Sequence, residues 1–272
     1  MDRRRFLATA LIPLSASAAP RPERKRITLS PIPGQPVVVI SYGSDSFNLT
    51  CAEAFGIGTA GHHQTTDGIH YAGTGSWIRH GNAVTHTRVI SAAPAINYTV
   101  IIVADDDDTL ELTFSVTNKS ASAFASPSWA DWCFQYINTP SLVNPDGSQT
   151  YMPWSQGGGC SMAAADGISS ASQAGGGTLH LYAPHVGLAS NRQTCGSAVV
   201  RRNAASTRFS GFSFKDSPTL FVNQGQGNCI HSAPPITPKN VALQPNSEFV
   251  ARGRIVLDQP DLNSVLTKLH VG

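Results

Sequence analysis

The chain has 272 residues, of which 41% are hydrophobic and only 13% charged, with a formal charge of +2. That balance excludes a disordered polyelectrolyte and suits one large domain or two small ones. No apolar run approaches the roughly 20 residues of a spanning helix, so no transmembrane segment is expected.

The chain opens "MDRRRFLATALIPLSASAAP". A basic tip, an apolar run from Phe6 to Leu14 and the small residues Ala16-Ser17-Ala18 have the layout of a signal peptide with an A-x-A cleavage site, residues 1–18. The order Arg3-Arg4-Arg5-Phe6-Leu7 resembles the twin-arginine signal. The resemblance implies bacterial export of an already folded chain to the periplasm or beyond. Residues 1–18 carry three arginines and one aspartate, so their removal takes the formal charge from +2 to 0. "RPERKR", Arg21 to Arg26, then contributes a net +3, which leaves the remainder at −3. The basic character thus sits in the expected leader and in a solvated linker, residues 19–27. The domain itself, residues 28–272, has no basic face of the kind a nucleic-acid binder shows, and no nucleic-acid partner is expected.

Five cysteines, Cys51, Cys133, Cys160, Cys195 and Cys229, lie beyond the leader. In an oxidising compartment they permit two disulfides and one spare thiol. Their spacings give neither a CxxC redox pair nor a CxxCH haem motif.

Period-2 alternation dominates the body of the chain, and it is the signature of strands. The first expected strand is Val37–Ser41. "GHHQTTDGIH", Gly61 to His70, follows as a loop. Its His62, His63, His70 and Asp67 are imidazole and carboxylate donors that a loop can gather around copper or zinc. The alternative is a set of hydrogen-bonded or surface histidines.

"SWIRHGNAVTHTRVI" reads as a hairpin around Gly81-Asn82. Its register pairs His80 with Ala83, Arg79 with Val84, Ile78 with Thr85 and Trp77 with His86. Cross-strand partners share a face, so Trp77, Arg79, Val84 and His86 lie on one side and His80 on the other. A second hairpin is expected from Tyr98–Ala104 to Leu110–Thr117, with Asp105 to Asp108 at its tip. Aspartate is a common turn former, and this tip lacks the calcium-loop spacing of an EF-hand.

Trp132–Ile137 should be a strand with Trp132, Phe134 and Tyr136 on one face, a core stripe or else a surface for stacking sugar rings, and Asp131, Cys133 and Gln135 opposite. From Asn138 to Gly177 the chain is rich in Gly, Ser, Ala and Gln and reads as a long surface excursion. It carries Tyr151 and Trp154 as candidates for stacking on sugar rings. Further strands are expected at Thr178–Tyr182, Thr207–Phe214, Thr219–Val222 and Phe249–Leu257. In "GQGNCIHSAPP" alternation places Cys229 and His231 on one side, a pair able to form a nucleophile, although in an exported chain a disulfide is the simpler use of Cys229. The last element is a helix capped by Asp261, with Leu262, Val265, Leu266 and Leu269 on one side.

These elements assemble most economically into one all-β domain, an antiparallel β-sandwich with a short C-terminal helix. From "ADDDDTLELTFSVTNKS" to "CIHSAPPITPKNVALQPNSEFVARGRIVL" the layout resembles secreted bacterial β-sandwich proteins of unassigned function. More distantly it is similar to the galactose-mutarotase-like supersandwiches of sugar epimerases and polysaccharide lyases. The resemblance implies a carbohydrate-active protein, a polysaccharide lyase or hydrolase, or else a non-catalytic carbohydrate-binding or cell-surface module. For catalysis the candidates are His86 or His70 as acid or base and Arg79 for a carboxylate. Trp154, Tyr151 and Trp77 are the candidates for binding the saccharide.

Overall fold

The structure, a computed structural model, describes residues 26–58, 74–92, 94–139, 149–156, 159–164, 178–182, 196–203, 207–217, 219–223 and 229–269. In chain order the described residues form β1 (Ile27–Pro31), β2 (Val37–Tyr42), β3 (Asp45–Gly56), β4 (Thr74–His80), β5 (Ala83–Ile90), β6 (Ile96–Asp106), β7 (Thr109–Asn118) and β8 (Trp129–Asn138). They continue with β9 (Thr150–Gln156), β10 (Gly159–Ala164), β11 (Thr178–Tyr182), β12 (Ala198–Arg202), β13 (Phe209–Phe214), β14 (Thr219–Asn223), β15 (Cys229–Ser232), β16 (Glu248–Gln259) and a helix, α1 (Leu262–Leu269). No helix among the described residues is long and apolar enough to cross a membrane.

Two antiparallel sheets hold these strands. One runs β1-β2-β3-β8-β15-β14-β11, the other β10-β9-β12-β13-β16-β7-β6-β5-β4. The expected hairpin registers hold: Trp77 faces His86, Arg79 faces Val84 and His80 faces Ala83. β6 and β7 pair closely along the Tyr98–Val116 register.

The long Gly/Ser-rich stretch departs from expectation. It contributes β9 and β10, which pair with each other, and β9 also adds to β12. Tyr151 and Trp154 therefore stand on a strand rather than in a surface loop. Small residues hide the period-2 signal of β10, Pro153 interrupts that of β9, and partner strands supply the hydrogen bonds that intrinsic propensity does not favour.

The core lies between the sheets, where period 2 puts every second side chain of each strand. The stripe Trp132, Phe134 and Tyr136 is core, as its alternation implied. Trp132 meets Phe114 at 5.3 Å and Phe214 at 4.7 Å, both edge to face, and so ties β8 to the opposing sheet. Phe134 does the same with Phe212 at 5.9 Å. Truncating a fully buried ring such as Phe114 to Ala costs about 3–5 kcal/mol.

The outer side of the larger sheet carries α1. Asp261 caps it by accepting from the Ser264 amide at 2.9 Å. Val265 and Leu269 pack with Ala198, Val200 and Val256. The helix can approach because Gly211 has no side chain: a Cβ there would stand 2.6 Å from Val265 and 2.7 Å from Leu269.

Candidate functional site

Because Trp132, Phe134 and Tyr136 point into the core, alternation sends Asp131 and Cys133 to the outer face of the seven-stranded sheet. On the neighbouring strand Ile230 packs in the core, so Cys229 and His231 share that outer face. The β8–β15 register sets His231 directly opposite Cys133. The result is a chain of contacts. His231 Nδ1 lies 2.7 Å from Asp131 Oδ1, and His231 Nε2 lies 3.1 Å from Cys229 Sγ. All of these side chains are buried: Asp131 is 3% exposed, Cys229 3%, His231 6% and Cys133 7%.

A third strand completes the group through an irregularity. Between Thr50, opposite Cys133, and Ala54, opposite Asp131, β3 inserts more residues than β8 has to meet them. The bulge is accommodated by Ala52 in the left-handed region, φ 62°. Its effect is to turn the half-buried Glu53 toward the pair, so that donor atoms of Glu53, Asp131 and His231 lie within 4.8 Å of one another.

The electrostatics follow from this packing. Burial by itself would lower the His231 pKa, but the Asp131 carboxylate, negative charge at Cys229 and the hydrogen bonds to both outweigh it and hold the imidazolium form well above its usual range. The Cys133 thiol is pushed up by its hydrogen bond with Cys229, by burial and by the negative charge of Cys229, Glu53 and Asp131. An imidazole fixed by a carboxylate on one nitrogen, with a thiol on the other, orients a nucleophile or a metal-binding lone pair equally well.

Of the residues singled out from sequence, Cys229 and His231 belong to this group, and the other described ones fall elsewhere. His62, His63, Asp67 and His70 lie outside the described residues. His86 is fully buried, and its ring is enclosed by Trp77 at 4.5 Å and Tyr98 at 6.1 Å. It also lies against Gly75, where a Cβ would come within 2.7 Å of the imidazole. Burial, with a smaller effect from Arg88, lowers its pKa to about 4 despite an opposing contribution from the Ser76 backbone. Arg79 donates to the Leu29 carbonyl, and Trp77 Nε1 donates to the Gln35 carbonyl at 2.7 Å. These two side chains fasten the edge strand β4 to the β1–β2 end of the other sheet.

Tyr151 is half-buried beside Phe209, its hydroxyl 3.3 Å from Gln149 Oε1. Trp154 is described only as backbone, in β9. The structure thus brings Trp77, Arg79 and His86 together, and keeps them apart from Asp131, Cys133, Cys229 and His231.

Among the described residues no disulfide occurs: Cys51, Cys133 and Cys229 are free thiols. Two bridges, which five cysteines permit, therefore do not form, since only Cys160 and Cys195 remain, outside the described side chains. Cys51 faces the core, whereas Cys133 and Cys229 face outward. The placement of Cys229 beside His231 was legible from alternation. Glu53 was not, because nothing in "TCAEAF" signals a left-handed Ala52.

The sequence matches no protein-family model and no curated relative. Solved structures do match. The fold is similar to that of the Slr1438 protein from Synechocystis sp. PCC 6803, at 10% identity and TM-score 0.53, over 91% of this chain and 99% of that one. A galactose mutarotase related enzyme from Lactobacillus acidophilus aligns at 12% identity and TM-score 0.49, over 86% of this chain and 98% of that one. A galactose mutarotase-like protein from Lactobacillus casei ATCC 334 aligns at 9% identity and TM-score 0.46, over 85% and 99%. At these identities the shared property is the fold.

Proposed function

We propose that the protein is an exported carbohydrate-active enzyme, a polysaccharide lyase or hydrolase, reacting on the outer face of the seven-stranded sheet. The observation that carries this reading is the β3 bulge, which turns Glu53 toward the buried Asp131–His231 pair. Either reaction needs one group that moves a proton and a positive partner for a carboxylate or developing charge. Glu53, the half-buried member, moves the proton, and the side held by His231 supplies the positive partner. Support for the carbohydrate class comes from the sandwich fold, which the strand pattern likened to galactose-mutarotase-like proteins. A fold hosts many chemistries, so the substrate class is decided by assay.

The assay incubates purified protein with uronic-acid and neutral polysaccharides and resolves the products by chromatography. New oligosaccharides are expected from at least one polymer. Glu53→Gln is expected to lower kcat by about 10²- to 10⁴-fold without moving the thermal midpoint. If every polymer is returned intact, the catalytic reading fails.

The burial of Asp131 and His231 favours a second reading, a non-catalytic carbohydrate-binding or cell-surface module. That reading predicts retention on insoluble polysaccharide with no product, and loss of retention in Trp154→Ala.

A further inference from the structure

We propose that Cys133, Cys229 and His231 bind one thiophilic d10 metal ion, zinc or copper(I), in a closed site built into the seven-stranded sheet. Their three donor atoms lie within 4.8 Å of one another, and all three side chains are buried. Both donor strands are flanked by others in the sheet, β8 between β3 and β15, and β15 between β8 and β14, so the ligands stand on supported backbone rather than on a loop.

The orientation of His231 is the second observation. Asp131 Oδ1 accepts from Nδ1 at 2.7 Å, which leaves Nε2 as the ligating nitrogen, and Nε2 faces Cys229 Sγ at 3.1 Å. A carboxylate behind a histidine ligand fixes its tautomer and ring plane in this way. Zinc holds sulfur at about 2.3 Å and nitrogen at about 2.0 Å in tetrahedral geometry, which places neighbouring ligands roughly 3.5–3.8 Å apart. The observed spacing reaches that with small side-chain shifts. Two thiolates and an imidazole select zinc or copper(I) over magnesium or calcium, which prefer oxygen.

Binding requires Cys133 and Cys229 as thiolates and His231 neutral, so the protons held on the two sulfurs and on His231 Nε2 leave to solvent while Nδ1 keeps its proton toward Asp131, and no electron is transferred. The twin-arginine-type leader offers a route to loading. A chain that folds in a reducing compartment can take its metal before its adjacent thiols meet an oxidant. The site shares His231 with the polysaccharide reading, where the charge of the bound ion takes the place of the imidazolium as the positive partner, and Glu53 is not among the three ligands.

The test uses the full chain, exported by its own leader and purified without chelator. Elemental analysis is expected to find close to one equivalent of zinc or copper. Protein stripped of metal and titrated with cobalt(II) should develop a thiolate-to-metal charge-transfer band, which the nitrogen and oxygen donors His62, His63, His70 and Asp67 cannot produce. Cys133→Ser and Cys229→Ser should abolish the band, and Asp131→Asn should weaken zinc binding about 10- to 100-fold.

The wild-type protein keeps the test independent of whether these variants fold. Either of two results for it overturns the proposal: a Cys133–Cys229 disulfide by peptide mass mapping, or free thiols with no charge-transfer band at saturating cobalt(II). Metal without polysaccharide turnover sinks only the enzymatic reading. Turnover in metal-free protein that gives no band sinks only the metal site.

Discussion

The Trp77 indole lies over the His86 imidazole, with ring centroids 4.5 Å apart and the planes tilted by 33°. The two residues are direct cross-strand partners, and the contact seals His86 against the interior. Among the described residues the titratable groups facing it are Arg88 on its own strand and Tyr98 on β6.

His86 should therefore be neutral in the folded protein down to a pKa of about 4. The unfolded chain takes up the proton near pH 6.5, so between those values the unfolded state binds more protons and stability rises with pH. The contribution is complete above pH 6.5 and is lost as pH falls toward 4. The linked free energy is about 3 kcal/mol at most. Urea unfolding of wild type and His86→Phe between pH 4 and 7 measures it. An identical pH slope for the two proteins would show that His86 is not the group responsible.

Gly56 faces Trp129 across the β3–β8 ladder, and a Cβ at Gly56 would overlap the indole ring. Trp129 is 1% exposed and stands two residues before Asp131. Gly56→Ala is expected to destabilise the fold by about 1–3 kcal/mol through overpacking. A chemical-denaturation midpoint equal to wild type would mean that the indole moves freely.

Asp108, at the tip of the β6–β7 hairpin, receives Lys268 Nζ on both carboxylate oxygens at 2.8 and 2.7 Å. Burial would raise its pKa, but hydrogen bonds from Lys268, Gln259 and Thr109 outweigh it and hold the carboxyl below its ordinary value. A depressed carboxylate stabilises above the unfolded pKa of about 4 and loses that contribution as pH falls below it. Lys268 is 38% exposed, so Asp108→Asn should cost no more than about 1 kcal/mol at neutral pH. Calorimetry should show the gap between the two proteins closing as the pH drops below 4.

Cys51 is fully buried between the sheets, and burial pushes its thiol well above the usual range. Alkylation under native conditions should spare it and reach it only through unfolding, so its labelling rate should rise with denaturant along the unfolding curve. Rapid native labelling, followed by mass spectrometry, would contradict its burial.

Much of the fold was legible because strand periodicity is a local property. "SWIRHGNAVTHTRVI" disclosed its turn and register, and "DWCFQY" disclosed which side chains share a face. "PDLNSVLTKL" disclosed a capped amphipathic helix. The stretch holding β9 and β10 was not legible, since Pro153 breaks the pattern of β9, the small residues of β10 alternate weakly, and only their neighbours make them strands.

The candidate site shows where the local signal stops. Alternation tells which residues of one strand point the same way, and by that rule the sequence alone paired Asp131 with Cys133 and Cys229 with His231. It does not tell which face is covered: on the Trp77–His86 face His86 is fully buried, Trp77 half-buried and Arg79 exposed. The convergence of Glu53, Asp131, Cys133, Cys229 and His231 was decided only by the tertiary structure. Strand order brings β3, β8 and β15 side by side across large gaps in sequence, and a left-handed Ala52 turns Glu53 toward its partners. Non-local pairing and a bulge are set by the energy of the whole sheet, which no short stretch of residues encodes.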